Sequence, residues 1–148
     1  MENIKWTKLL IMAVLSFIVM YALMYIMVDS WSNVYINLNQ FYMVIAMTSA
    51  MVLVEIFVMK SMYERTVKIS AIIFGLVLLI ISIIFVRNQT AISDREFLES
   101  MISHHAAALL MCNKAKIQDV EIKSLCESII TNQASQIDWM KTKLSTLK

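Results

Sequence analysis

The two histidines of the chain stand side by side as His104 and His105, preceded by Met101 and followed by Met111 and Cys112. Imidazole, thioether and thiol are the donors that a soft, late transition metal such as Cu(I) prefers, whereas Mg, Ca and Mn take oxygen. Zinc binds His with thiolate or carboxylate and has little use for a thioether. The spacing is helical. Met101 and His105 are i, i+4 and His105 and Cys112 are i, i+7, so these three share a face. Met101 with His104 (i, i+3) and His104 with Met111 (i, i+7) share its flank. Successive helical residues point about 100° apart, so the histidine pair belongs to two divergent ligand sets. The same residues have a plainer reading. Methionine fills cores, cysteine behaves as a small hydrophobe, and a buried histidine pairs with a polar neighbour.

These side chains need a helix to carry them and a second helix to face them. Ser93 is an N-cap with Glu96 three residues on, a capping box. From there Leu98, Met101, Ile102, His105, Ala108, Leu109 and Cys112 recur at helical spacing. Lys114–Gln118 is polar, and Asp119 caps a second helix. Its apolar face comprises Ile122, Leu125, Cys126, Ile129, Ile130, Gln133, Ile137, Met140, Leu144 and Leu147. Joined by a short turn, the two form an antiparallel hairpin. A turn centred near Asp119 sets Cys112 opposite Cys126 and His105 opposite Gln133. It sets Met101 opposite Ile137, with Met140 nearby. Gln133 would then orient a histidine through a hydrogen bond. Cys112 and Cys126 either supply thiols or, in an oxidising compartment, pair with each other. Two helices make a thin core, which a homodimer or higher oligomer, or packing on the membrane helices, would complete as a four-helix bundle.

The preceding residues are of another character. The 148-residue chain is 59% hydrophobic, with one Gly and no Pro, and its mean hydropathy is +0.70. That combination predicts an all-α protein with spanning segments. Apolar runs at 9–28, 41–59 and 69–86 are each about long enough to cross a bilayer at 1.5 Å per residue. The first is too long for a signal-peptide core and lacks a small-residue cleavage site, so it reads as a retained helix. Trp31 and Tyr35, in the 29–40 connector, suit a membrane interface. Lys5 and Lys8 precede the first run, Lys60, Arg65 and Lys68 follow the second, and the connector has no Lys or Arg. The positive-inside rule then puts the N-terminus in the cytoplasm and the hairpin outside it. The expected domains are 1–88 in the membrane and 93–147 as an extracytoplasmic hairpin.

Eight of the 13 methionines lie between Met12 and Met59. Met20, Met24 and Met27 make a stripe on the first run, and Met43, Met47 and Met51 one on the second, which Glu55 continues. An intramembrane carboxylate faces protein or water. Glu55 either belongs to a soft-metal path or sits near enough to the cytoplasmic end to reach water or pair with Lys60 or Arg65, with methionine as helix packing. A net charge of +2 with no basic stripe excludes nucleic acid as a partner. Neither histidine has a Glu three residues before it, as a di-iron carboxylate bundle requires. No local signature marks a nucleophile, so the chain reads as a non-enzyme.

The string F-L-E-S-M-I-S-H-H-A-A-A-L-L-M, followed by I-I-T-N-Q-A-S-Q-I-D-W-M, resembles the bacterial domain of unknown function 305 family. The matching positions are Phe97, Met101, Ile102, His104, His105, Ala108 and Met111, then Ile129, Ile130, Gln133, Ile137 and Met140. Gln136 stands where the family has Glu. The membrane half is similar to a subgroup with an N-terminal Met-rich membrane segment. The resemblance implies a ferritin-like helical fold. It also implies, through CopM-like members, copper binding and tolerance outside the cytoplasm. The resulting expectation is a three-span protein of a bacterial inner membrane that binds Cu(I) or another soft metal. Its ligands would be Met101, His104, His105 and Met111, with Met140 and Cys112 as additions. The alternative is a structural or sensory membrane module without metal.

Overall fold

The computed structural model describes residues 2–147, and the side chains of residues 6–147. The side chain of Lys5, one of the charges in the orientation count, lies outside the described part. Among the described residues all regular structure is helical. The helices are α1 (Glu2–Leu23), α2 (Leu38–Val58), α3 (Arg65–Asn88), α4 (Asp94–Lys114) and α5 (Val120–Thr146), with a 3-10 turn at Trp31–Asn33. The chain divides into two compact units. One holds the residues up to Leu23 with Asn39–Ala91, and the other holds Met24–Leu38 with the residues from Ile92 on.

The first unit is an up–down–up arrangement of three helices. Leu9 of α1, Ile56 of α2 and Ala71 of α3 form its buried cluster near one end. Near the other, the Phe17 and Phe41 rings meet edge-on at 5.4 Å and the Tyr42 and Phe85 rings at 5.3 Å. There α3 ends on Gln89, whose φ of 50° breaks the helix. The side-chain amides of Asn39 and Gln89 donate to each other, both at 3.0 Å. All three helices are long and apolar enough to cross a membrane, over Trp6–Leu23, Leu38–Val58 and Arg65–Asn88. Large side chains such as Leu15, Ile18, Phe57 and Phe74 are exposed, a surface that water would not tolerate but hydrocarbon would. Gly75 lets α2 and α3 approach, for a Cβ there would stand 3.1 Å from Leu53 Cδ2.

The first apolar run is helical only to Leu23, although hydrophobicity continues to Val28. The break is tertiary in origin. Residues 24–27 turn, Tyr25 Oη donates to Tyr35 O at 2.8 Å, and Val28 and Tyr35 pack on the core of the second unit. Met24 and Met27 therefore leave the stripe that Met20 begins. Tyr35 is half-buried there, whereas Trp31 is 90% exposed.

In the second unit α4 and α5 form the expected hairpin. Its core is Leu98, Ile102, Ala106 and Leu109 from α4 with Ile137, Met140 and Leu144 from α5. The connector adds a third layer. Ser103, buried, donates from Oγ to Asn33 O at 3.2 Å, and Asn33 Nδ2 donates to Asp29 Oδ1 at 2.6 Å. This contact rolls the buried stripe of α4 toward Ser103 and Ala106, away from the face that apolar spacing alone selects. Both caps form: Ser93 Oγ accepts from Glu96 N–H, and Asp119 Oδ1 accepts from Glu121 and Ile122 N–H. Only half of the capping box closes, because the Glu96 carboxylate instead accepts Leu38 N–H at 2.7 Å. Beside it, burial holds the Glu99 carboxyl above its ordinary pKa. Arg95, 3.3 Å away, opposes that rise, and Glu96 adds to it.

Ile122 and Leu125, expected in the hairpin face, are 51% and 57% exposed. The helix that would cover them stops at Lys114, little more than half a turn past Cys112.

Candidate metal centre

The turn end of the hairpin is closed by a Cys112–Cys126 disulfide, with Cα atoms 5.3 Å apart. Of the two roles open to these cysteines, the structure has the pairing. Cys112 therefore presents no thiolate, and its place in the candidate ligand set falls away in this oxidised form. The pairing also fixes the register with Cys112 level with Cys126.

His105, half-buried, is held at both ring nitrogens. Nδ1 lies 2.9 Å from Met101 O, and Nε2 lies 2.9 Å from Gln136 Oε1. Gln136, not Gln133, is thus its partner. Helical side chains lean toward the helix N-terminus. On antiparallel helices His105 therefore reaches back toward Met101 while Gln136 reaches back toward Gln133, and the two meet between their own levels. That lean is a sequence-level signal that position-by-position pairing overlooks. Gln133 Oε1 is instead buried without a hydrogen-bond partner.

The remaining candidates are distributed unevenly. His104 is exposed on the flank, its ring centroid 6.3 Å from that of His105 and inclined to it by 65°. Met101 is half-buried, one helical turn before His105 and packed against the hairpin core. Met111 is 50% exposed, two turns further along. Met140 is 5% exposed within the core, where it packs between the helices. Its position follows from its i+3 relation to Ile137. Met101, His104 and His105 are therefore the candidates that lie within about one turn of each other on α4. No group of three His, Cys, Asp or Glu side chains able to hold a metal occurs among the described residues. That donor set does not fit zinc or a hard cation. Two imidazoles and one thioether do fit a soft ion of low coordination number.

The geometry of His105 has a chemical consequence. A histidine that donates Nδ1–H to a backbone carbonyl keeps its Nε2 lone pair for a metal. Here Met101 O is that carbonyl, and Gln136 is the group Nε2 faces. With Nε2 also protonated, the ring donates to Gln136 Oε1. With Nε2 bare, the Gln136 amide must turn its NH2 toward it.

Glu55, in α2, is half-buried. Its Oε1 accepts from Tyr63 Oη at 2.6 Å, a partner not among those the sequence suggests, water, Lys60 or Arg65. Burial, then the hydrogen bond and charge of Glu55, push the Tyr63 phenol up to about 12. Tyr63→Phe is expected to destabilise the first unit by about 1–3 kcal/mol, since the carboxylate loses its donor. The loss should shrink when Glu55→Gln is already present. Thermal melts of the four proteins in one detergent measure the coupling, and additive losses would contradict the pairing. On the Met stripes, Thr48 Oγ1 lies 3.9 Å from Met20 Sδ across the α1–α2 contact. Met43 and Met47 face outward.

Comparison with known proteins places these features in a lineage. The sequence profile of the family described as "Domain of unknown function (DUF305)" matches residues 86–144. The "Uncharacterized protein L153" of Acanthamoeba polyphaga mimivirus is 31% identical over 147 residues, spanning 96% of this chain and 94% of that one. The similarity therefore runs through the three apolar helices as well as the hairpin. No solved structure matches. With the histidine pair and its hairpin inside the matched residues and a relative collinear over almost the whole length, the chain belongs to the domain of unknown function 305 family.

Proposed function

We propose that the protein is a membrane-anchored binder of Cu(I) or a similarly soft metal ion, serving metal tolerance or trafficking outside the cytoplasm. The observation that carries this reading is the set Met101–His104–His105, with Nδ1 of His105 on Met101 O, so that a metal would take Nε2 in place of Gln136. Met111 extends the set on the flank, and Met101 O, on Nδ1, orients the His105 ring. The bound ion would be held by soft donors, and no reaction is assigned to the site.

Three further features support the setting. α1, α2 and α3 supply the anchor in the bilayer. A disulfide persists where the surroundings oxidise thiols, outside the cytoplasm, which agrees with the orientation from basic residues. Val120, Ile122 and Leu125 are exposed apolar side chains at the turn end of the hairpin, and a second copy of the chain would cover them as a homodimer.

One observation favours a second reading, a structural hairpin without metal. Both ring nitrogens of His105 already have protein partners, as a register-fixing histidine would. The full-length protein in detergent decides between them. It is titrated with Cu(I) against a chromophoric chelator, without thiol reductant so that the disulfide stays closed. His104→Ala/His105→Ala should weaken Cu(I) retention by more than about a hundredfold, a larger effect than loss of an outer hydrogen-bond partner. Equal uptake by both proteins sides with the structural hairpin.

A further inference from the structure

The first three helices leave a groove of about 550 Å³ along one side of their unit, within the size range of small-molecule sites. It follows α1 from Trp6 to Ala13 and α3 from Ser70 to Leu78, with Ser49 and Val52 of α2 behind it. Eight helical residues give it a length of about 12 Å. Leu9 and Ala71 close its floor, both in the buried cluster of the unit. In hydrocarbon an open apolar groove does not stay empty, because its walls would lose their dispersion contacts.

The charges at one end indicate what fills it. Leu9, Ile56 and Ala71 lie at one level of the three helices. Lys8, Lys60, Arg65 and Lys68 all stand at that level or within two helical turns of it, at the end where Trp6 marks the mouth of the groove. Lys8, Lys60 and Arg65 are exposed, and Lys68 Nζ donates to Lys60 O at 3.3 Å. α3 begins at this end, and its N-terminus adds positive partial charge. The first turn of α3 has no acidic residue, and its N-cap Glu64 makes no side-chain capping bond. Trp6 is 37% exposed, as suits an aromatic at headgroup level. A symmetric pair of chains joined along this groove would bring like charges together at that level, which disfavours a second copy as the occupant.

We infer that the groove is a binding site for one anionic phospholipid, with an acyl chain between α1 and α3 and the phosphate at the basic end. The inference is independent of metal binding by the hairpin.

The test is native mass spectrometry of the full-length protein, purified in detergent and incubated with phosphatidylglycerol or with phosphatidylcholine of the same acyl chains. Wild type should retain one phosphatidylglycerol per chain, and about tenfold less phosphatidylcholine. Lys8→Gln/Lys60→Gln/Arg65→Gln, at exposed positions, should abolish that preference. Ala13→Phe, which fills the groove, should abolish retention of both lipids at unchanged helix content. Equal retention of the two lipids by wild type overturns the inference, as does a preference that survives the charge substitutions. A lipid-free dimer that Ala13→Phe converts to monomer overturns it as well. If Ala13→Phe does not fold, the charge variant decides alone.

Discussion

Ile102→Ala is expected to destabilise the hairpin unit by about 2–5 kcal/mol, the range for truncating a fully buried aliphatic side chain. Ile102 is 0% exposed and sits in the cluster with Leu98, Ala106 and Ile137. Its neighbour Ser103 is tied to Asn33, so the connector and α5 hold α4 from two sides and limit how far the cavity can collapse. The measurement is hydrogen exchange of α4 and α5 in the full-length protein, which reads the opening of this unit separately from the apolar helices. Ile122→Ala serves as control, since Ile122 is 51% exposed and should change stability by no more than about 0.5 kcal/mol. Similar losses at the two positions would contradict the packing described. The same geometry predicts which fragments fold. A hairpin beginning at residue 93 lacks Val28, Asn33 and Tyr35, and with them one layer of its core.

Cys112→Ser/Cys126→Ser is expected to lower the stability of the same unit by about 3 kcal/mol, the chain-entropy value for a closed loop of about 15 residues. The loop here has a sequence separation of 14. The loss should concentrate at the turn end. There Ile129 and Ile130 are only half-buried and Ile122 and Leu125 are exposed, so little apolar packing replaces the covalent link. Reduction of the wild type should reproduce the effect, and adding reductant to the serine variant should change nothing. Maleimide labelling before any reduction supplies the direct check. Two accessible thiols per chain in freshly purified protein would show that the bridge does not form. Reduction also bears on the metal site, because it returns Cys112 to the list of soft donors. Cu(I) uptake measured with and without reductant therefore separates the Met–His set from a thiol-dependent one.

Much of the fold is legible in local sequence because short-range physics dictates it. Apolar runs of about 20 residues with almost no Gly or Pro leave a helix as the way to satisfy the backbone in hydrocarbon. Ser93 and Asp119 announce where α4 and α5 begin, because each side chain reaches an N–H only two or three residues away. The register that levels Cys112 with Cys126 follows from the length of the turn. The candidate donors Met101, His104 and His105 are fixed as neighbours by helical spacing.

Tertiary structure decides what depends on residues distant in sequence. By sequence 24–28 ends an apolar run and 29–40 is a polar connector, yet the contacts of Val28, Asn33 and Tyr35 make residues 24–38 part of the hairpin unit. Those contacts end α1 at Leu23 against its own hydrophobicity. They also turn the buried face of α4 toward Ser103 and Ala106. Glu96 leaves its local capping role for Leu38 N–H, 58 residues away. The site is sorted the same way. Side-chain lean across antiparallel helices gives His105 to Gln136, the interior stripe of α5 takes Met140 into the core, and the disulfide takes Cys112. Donor type and spacing along one helix name the chemistry available. Which donors remain at the surface, with lone pairs to offer, is settled by what the second helix and the connector cover.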